Sequence, residues 1–516
     1  MPTFEDSTTR VAANFSVSVV DQAVPALTIL WHPDPSRVGA MSLLSDLSPG
    51  RALGISRRTP DFPHYTRDSR PLDDSFLSRN PFLDVSVVSR TLKLTSLSDQ
   101  LPITLNGQPL TGPATLAPAD IAAGAVITLG KRIALCLHYA KPPSTAPDLG
   151  LLGHSDAMNG VRAAIRSVAD LAVPVLIRGE TGTGKELTAA AIVKAGPRAG
   201  KPFVSLNIGA LPQQLATAEI LGYEKGSFTG AQAARQGYFA EADQGTLFLD
   251  EIGLANHEVQ TALLRVLETN EVRPLGGRAA RRVDVRVLAA TDAQIDAALS
   301  EDGFSQPLFY RLSNMQISLP PLRERREDIG SLLLHFLKEV MAKTGDLSKL
   351  TTPAAAKRPW LSATAIASLA MAPWPGNVRQ LRHCASAIAI ANRGASSARL
   401  SPDRLPGLAL GATDVPIQEA VPEPSVAKRA QASFHAKLVE ALARHDFQPA
   451  RVAKALGISR TTVYHHIQRD PGLGLLSRIS DERLAQELKA CDDDLHTLAK
   501  RLRVSVRSLQ MRLSKA

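Results

Sequence analysis

From residue 24 to 140 the apolar positions fall in short runs, such as Leu27 to Trp31, Asp84 to Val88 and Ala125 to Leu129, separated by Gly, Pro, Asn and Asp. Short runs punctuated by turn formers predict strands, and their succession predicts an all-β sandwich behind a tail at 1–23. The stretch Lys141-Pro-Pro-Ser-Thr-Ala-Pro147 sustains neither a helix nor a central strand, because each proline removes a donor and fixes φ, so 141–150 is expected to be a linker. From 151 to 320 the pattern changes: apolar strands at Val173 to Ile177, Thr246 to Leu249 and Val285 to Ala289 alternate with helical periodicity, as at Leu187 to Val193. Such alternation implies a parallel sheet flanked by helices. Residues 321–392 are mostly helical, and 393–430, rich in Ala, Ser, Pro and Gly, are expected to be a second linker.

The last segment repeats itself. Laying 435–467 over 481–513 at an offset of 46 places Leu438 on Leu484, Leu442 on Leu488, Asp446 on Asp492, Ala453 on Ala499, Leu456 on Leu502, Ser459 on Ser505 and Val463 on Leu509. Each copy is one supersecondary unit, giving two all-α units at 431–470 and 471–516. The chain therefore reads as multidomain: β-sandwich, α/β core with a helical lid, then tandem helical units.

Composition agrees and narrows the possibilities. A chain of 516 residues exceeds one core, and at 44% hydrophobic and 21% charged it fits soluble domains. No apolar run approaches the roughly 20 residues of a membrane span, and no signal peptide is evident. Cys136, Cys384 and Cys491 lack metal-ligand or disulfide-framework spacing, which fits a reducing cytoplasm. Of the net charge of +10, residues 426–516 contribute a surplus of 8, with 17 Lys and Arg against 9 Asp and Glu. A compact basic end points to a phosphate-backbone partner.

Gly179-Glu180-Thr181-Gly182-Thr183-Gly184-Lys185-Glu186 follows a strand and opens a helix. The glycines let backbone N–H groups turn toward a polyphosphate, and Lys185 neutralises the β- and γ-phosphates of ATP. Glu186 stands where a general P-loop has Ser or Thr, so the usual hydroxyl ligand for Mg2+ is missing. Thr246-Leu-Phe-Leu-Asp250-Glu251 ends an apolar strand in two acids at the sheet's carboxyl edge, where ligands bind. Asp250 is expected to hold the Mg2+ shell and Glu251 to polarise the attacking water. Between these motifs runs Gly222-Tyr-Glu-Lys-Gly-Ser-Phe-Thr-Gly-Ala231; Gly226 and Gly230 favour mobile backbone, so Phe228 is expected to find no local burial and to be presented to a partner.

Over 151–392 these motifs, with Ala-Ala-Thr-Asp292, Leu-Pro-Pro-Leu-Arg-Glu-Arg and Trp374-Pro-Gly-Asn-Val-Arg379, resemble the sigma-54-dependent transcription activators, a subgroup of the AAA+ ATPases. The resemblance implies that Phe228 and Thr229 touch sigma-54 in its RNA polymerase, that Asn207 relays the nucleotide state, that Thr291 is sensor I, and that Arg379 is the sensor II contact to phosphate. It also implies a hexameric ring in which an arginine finger acts on the neighbouring subunit. Three positions depart from the pattern: Ser227 replaces Ala, Asp292 replaces Asn, and Ser305 replaces one candidate finger, leaving Arg311 as the other.

At the basic end, Val452 to Ile467 resembles the Fis-type helix-turn-helix: Gly457 makes the turn, Ser459 caps the second helix, and Arg460, Thr461, Thr462, Tyr464 and His465 are candidates for base or phosphate contact. The second copy carries Arg503 at the turn and Arg507 in its recognition-like helix; it either reads a second half-site or dimerises. Near the other end, Leu53-Gly-Ile-Ser-Arg57, Pro71 to Arg79 and Leu105 to Leu110 resemble the forkhead-associated domain, a phosphothreonine reader. That resemblance implies phosphate contact by Arg57, Ser78 and Arg79, although Asn80 replaces the usual His. Two functions compete: an ATP-driven activator of sigma-54 RNA polymerase, or a weakly hydrolysing DNA-binding repressor or scaffold.

Overall fold

The computed structural model describes residues 23–64, 67–142, 147–228, 230–292, 303–351 and 359–400, with Ile295, Leu299 and, from Leu438 onward, 438, 440–442, 444–445, 448–456, 463, 484, 487–491, 494–502 and 506–514. It divides into two compact units, Met1–Asp414 and Val415–Ala516.

The first unit opens with strands β1 (Val24–Trp31), β2 (Met41–Leu43), β3 (Ala52–Ile55), β4 (Leu83–Val88), β5 (Thr91–Ser96), β6 (Ile103–Leu105), β7 (Gln108–Pro109), β8 (Ala114–Leu116), β9 (Ala125–Leu129) and β10 (Ile133–Ala140). They form one sheet in the order β2-β1-β10-β9-β6-β7 and another in the order β8-β5-β4-β3. Both contribute to a single core, where Leu27, Ile29, Leu135 and Leu137 meet Leu83, Val85, Leu92 and Leu94.

The alternate residues of the same strands do not face water. Leu30, Trp31, Val126, Ala134 and Cys136 belong to one continuous cluster with Leu332, Leu333, Phe336, Ile366 and Leu369 of the helical region. This junction was not expected from the sequence, where the β-region reads as a self-contained domain behind a linker. It accounts for the near-continuous apolar runs of β1 and β10, since a strand covered on both faces has no polar side. The contact is close: at Gly330 a Cβ would lie 2.0 Å from the Leu30 carbonyl oxygen, so only glycine permits the approach. Trp31 Nε1 donates to the Leu361 carbonyl at 2.9 Å, Arg326 Nη1 to the Gly124 carbonyl at 3.0 Å, and Ala363 N to the Lys131 carbonyl at 3.0 Å.

A polar cluster lies in this junction. Asp328 accepts hydrogen bonds from His154 N, Ser155 N and Ser155 Oγ at 2.7, 3.0 and 2.6 Å, while His138 sits 4.0 Å from the Glu327 carboxylate and shares a 2.7 Å hydrogen bond with Thr28 Oγ1. Burial, with the Asp328 charge adding to it, pushes the Glu327 carboxyl up to about 8, and burial pulls the His138 imidazole down to about 4. A carboxyl with a raised value stabilises the fold fully below its ordinary 4.5 and loses that contribution as pH rises through about 8. An imidazole with a lowered value contributes above its ordinary 6.5 and loses that contribution as pH falls through about 4. Thermal unfolding should therefore show Tm falling between pH 6.5 and about 8, and Glu327→Gln should abolish that fall. A Glu327→Gln protein with an unaltered pH profile would assign the fall to other groups.

The central domain is a parallel sheet in the order β12-β13-β14-β11-β15, with β11 Val175–Arg178, β12 Phe203–Asn207, β13 Thr246–Asp250, β14 Arg286–Thr291 and β15 Met315–Ser318. The first of these begins at Val175 rather than Val173, after Pro174, which has no N–H to give the ladder. Helices α1 (Asp156–Val168), α2 (Lys185–Ala195), α3 (His257–Thr269) and α4 (Gln306–Leu312) accompany it, with separate apolar clusters built around Leu247, Leu249 and Val287 and around Val175, Ile177 and Leu288. The helical region follows with α5 (Ile329–Thr344), α6 (Ala363–Met371) and α7 (Asn377–Ala391).

In the second unit, α8 (Pro449–Leu456) belongs to a small core of Leu438, Leu442, Val452, Ala453 and Val463. Helices α9 (Leu495–Leu502) and α10 (Val506–Leu513) belong to another, of Leu484, Cys491, Leu498, Ala499 and Leu509. Among the described residues no helix is long and apolar enough to cross a membrane.

Candidate nucleotide site

The turn from β11 into α2 is built for close approach. Gly182 and Gly184 adopt φ values of 81° and 111°, and a Cβ on Gly182 would lie 2.3 Å from the Gly376 carbonyl oxygen at the start of α7. The first N–H groups of α2 have no intrahelical acceptor and form, with the loop, an anion site. Lys185 Nζ folds back to the Gly179 carbonyl at 2.8 Å; its ammonium is pulled below the ordinary value by desolvation, against the pull of Asp250, Asp292 and Glu251.

The facing edge carries the acids. Asp250, last in β13, lies in register with Asn207, last in β12, and accepts a 3.0 Å hydrogen bond from Glu251 N. Glu251 has a φ of 56°, a strained conformation that stops the strand and turns its carboxylate back over the sheet edge. It and Asn207 both border Gly209, where a Cβ would lie 2.6 Å from Glu251 Oε2 and 3.3 Å from Asn207 Oδ1, and Asn207 Oδ1 accepts from Ala210 N at 3.1 Å. Thr291, buried at the end of β14, accepts at its carbonyl from Gly179 N at 3.2 Å, tying that strand to the glycine-rich loop.

The helical region closes the cleft. Arg379 N donates to the Gly182 carbonyl at 3.3 Å, and Arg379 lines a cleft of about 680 Å³ together with Thr181, Gly182, Thr183, Gly184, Lys185, Glu186, Asn207, Asp250, Glu251 and, from α5, His335, Phe336 and Glu339. Glu180, within the loop, has a further task. Its carboxylate is engaged by Arg323 through 2.8 and 2.7 Å hydrogen bonds and by Asn377 Nδ2 at 3.1 Å, so its side chain latches the loop to the helical region and leaves phosphate to the backbone. Arg323 holds that carboxyl below its ordinary value. Arg325, buried and lining the cleft with an unpartnered Nε, is a functional candidate that sequence reasoning missed, although it stands in the Leu-Pro-Pro-Leu-Arg-Glu-Arg motif. Lys185 and the Asp250 carboxylate, lining one cleft, fit a Mg2+-bound triphosphate.

Two expected motor elements lie elsewhere. Arg311, exposed on α4, donates from Nε and Nη2 to the Leu267 carbonyl at 3.3 and 3.0 Å and does not line the cleft. Ser305 is the N-cap of α4, its Oγ accepting from Leu308 N at 3.5 Å, a capping task that arginine cannot perform.

Phe228 corrects the reading of its loop. It is half-buried, its ring edge-on to Tyr223 at 5.0 Å, and the loop is closed by hydrogen bonds from Gly226 N to the Ala231 carbonyl at 2.8 Å and from Ala231 N to the Phe228 carbonyl at 3.0 Å. The aromatic thus has a local partner and a structured frame; Thr229 lies outside the described residues.

In the β-rich domain, Arg57 N donates to the Ser78 carbonyl at 2.9 Å, which brings these two predicted phosphate contacts together, and Arg79 is exposed beside them. The Arg57 guanidinium is paired with Asp73 at 3.1 Å. Ser459, Arg460, Thr461, Thr462, Tyr464 and His465 lie outside the described residues, and Arg507 lies in α10.

Comparison with known proteins places these elements among relatives. Residues 151–318 match the sigma-54 interaction domain, 323–415 the AAA+ ATPase lid domain, and 435–469 the bacterial regulatory protein, Fis family. The DNA-binding transcriptional regulator NtrC of Salmonella typhimurium is 46% identical over 237 residues, 46% of this chain and 48% of that protein. The transcriptional regulatory protein ZraR of Escherichia coli is 37% identical over 331 residues, 64% of this chain and 70% of that protein. Among solved structures, NtrX from Brucella abortus in complex with ADP is 29% identical, covering 62% of this chain and 69% of that one with a TM-score of 0.43. The chain spans about half the length of the NtrC relatives it matches.

Proposed function

Because this chain belongs to the family of transcriptional regulators built on a sigma-54 interaction domain, we propose that it activates sigma-54 RNA polymerase by hydrolysing ATP while its C-terminal unit holds double-stranded DNA upstream. The observation that carries this reading is the convergence of Lys185, Asn207, Asp250, Glu251 and Arg379 on one cleft that shares a domain with the Phe228 loop. Lys185 and the loop amides bind the phosphates, and Arg379 adds a cation from the helical region. Mg2+, held by Asp250, would neutralise charge on the phosphates. Glu251 orients and deprotonates the water that attacks in line. Asn207, which lines the same cleft as Glu251, reports whether the γ-phosphate is present, and the Phe228 loop passes that change to sigma-54.

Arg311 completes the site from the next copy, so the working form is a ring, taken as a cytoplasmic hexamer. An arginine finger contributes about 10³-fold or more, so Arg311→Ala should lower turnover by that order without removing nucleotide binding. An Arg311→Ala protein with parental turnover would remove the finger assignment.

The alternative, a repressor or scaffold with poor hydrolysis, rests on Ser305 in place of arginine; the Phe228 loop argues against it, since a passive binder has no use for that loop. The β-rich domain is read as a forkhead-associated sensor for a phosphothreonine protein through Arg57, Ser78 and Arg79. A phosphate must compete with Asp73 for Arg57, and titration with phosphothreonine peptides against Arg57→Ala checks this reading.

A further inference from the structure

The Fis-family match ends at 469, leaving the last helical unit with no assigned role. We propose that residues 481–513 form a second duplex-DNA-binding unit, so that one chain carries two helix-turn-helix readers in tandem.

The structural repeat supports this more strongly than the sequence repeat did. Pro449–Leu456 and Leu495–Leu502 are the same helix displaced by 46 positions at both ends. The entry into each is also the same. Gln448 N donates to the His445 carbonyl and Val452 N to the Gln448 carbonyl; 46 positions on, Asp494 N donates to the Cys491 carbonyl and Leu498 N to the Asp494 carbonyl. The buried positions coincide, with Leu438, Val452, Ala453 and Val463 matched by Leu484, Leu498, Ala499 and Leu509. Chains that repeat backbone hydrogen bonds and core positions at one spacing share a local fold, and the first copy matches the Fis family.

Charge selects the ligand. Residues 495–516 carry Lys500, Arg501, Arg503, Arg507, Arg512 and Lys515 with no Asp or Glu; the six acids of the copy all precede them, at Asp481, Glu482, Glu487, Asp492, Asp493 and Asp494, and Glu487 pairs with Arg501 at 3.1 Å. Asp494 is spent at the start of α9, where its carboxylate accepts from Thr497 Oγ1 at 2.5 Å. A basic two-helix segment with its acids withdrawn to one end suits a phosphate backbone. A dimer interface needs a spare apolar stripe instead, and none is found among the described residues. Val506, Leu509 and Leu513 are used inside the unit's own core, Gln510 and Ser514 are exposed, and no large apolar side chain from 415 to 516 is exposed among the described residues.

The test uses the full-length protein and a mixed-sequence duplex of about four helical turns, with affinity measured across a salt series. Each phosphate neutralised contributes about 0.9 to the slope of log K against log salt. Arg507→Gln should reduce the slope by about 0.9, and Arg507→Lys should restore it, which separates charge loss from misfolding. Arg460→Gln in the first copy is the companion: if it reduces the slope and Arg507→Gln does not, the first unit alone reads DNA and the second-unit proposal fails while the proposed function stands. If the parental chain does not bind the duplex at all, both fail. If Arg507→Gln leaves the slope intact but converts a dimer to a monomer in sedimentation, the unit is a dimerisation surface and the proposal is overturned.

Discussion

Glu251→Gln should lower ATP turnover by about 10²- to 10⁴-fold while leaving nucleotide affinity within a few-fold of the parent, since that is the range contributed by a positioned general base. The geometry calls for this split. Glu251 stands at the sheet edge beyond Asp250, borders Gly209 as Asn207 does, and comes from a different element than the glycine-rich loop across the cleft. Glutamine preserves size and hydrogen bonding but takes no proton, so phosphate binding survives and the attacking water loses its base. Steady-state turnover alongside fluorescent-nucleotide titration measures both. Parental turnover in the variant would mean that another group activates the water.

Deleting residues 1–140 should destabilise the helical region and with it the nucleotide cleft, which a merely tethered sensor domain would not do. Leu30, Trp31, Val38 and Val126 are buried in the same cluster as the helical-region core. At about 1.5–3 kcal/mol for each buried large apolar side chain, these four contribute roughly 6–12 kcal/mol, comparable to the whole stability of a domain. The loss reaches nucleotide binding because α5 meets β1 through Gly330 and lines the cleft with His335 and Phe336. The expected result is a 141–516 chain that aggregates or melts far below the parent and binds nucleotide poorly. Equal Tm and equal nucleotide affinity would show that the junction is dispensable. Leu30→Ala in the full chain gives a milder version, at about 2–5 kcal/mol.

The parts of the site that were legible in the sequence are those whose chemistry demands fixed residue types at fixed spacing. Gly182, Gly184 and Lys185 must follow a strand and open a helix, and Asp250 and Glu251 must end one, so local order alone places them. The Glu180 latch was hidden because its partner Arg323 lies 143 residues away, and a carboxylate inside a phosphate-loop motif gives no sign that it points elsewhere. Phe228 was misjudged for a local reason. Gly226 and Gly230 suggested mobile backbone, whereas hydrogen bonds across the loop and the Tyr223 ring give the aromatic a seat. The junction between the β-rich domain and the helical region left one readable trace, the absence of polar alternation in β1 and β10. Periodicity can report that both faces are covered, but not by what.

The central claim is that nucleotide hydrolysis is transmitted through the Phe228 loop to sigma-54 RNA polymerase. The direct measurement is ATP turnover and promoter opening on one sigma-54 promoter, in parallel for the parental chain and Phe228→Ala. The account predicts that the parent does both and that Phe228→Ala still hydrolyses ATP but opens no promoter; a parental chain that binds the DNA yet neither hydrolyses ATP nor opens the promoter would contradict it.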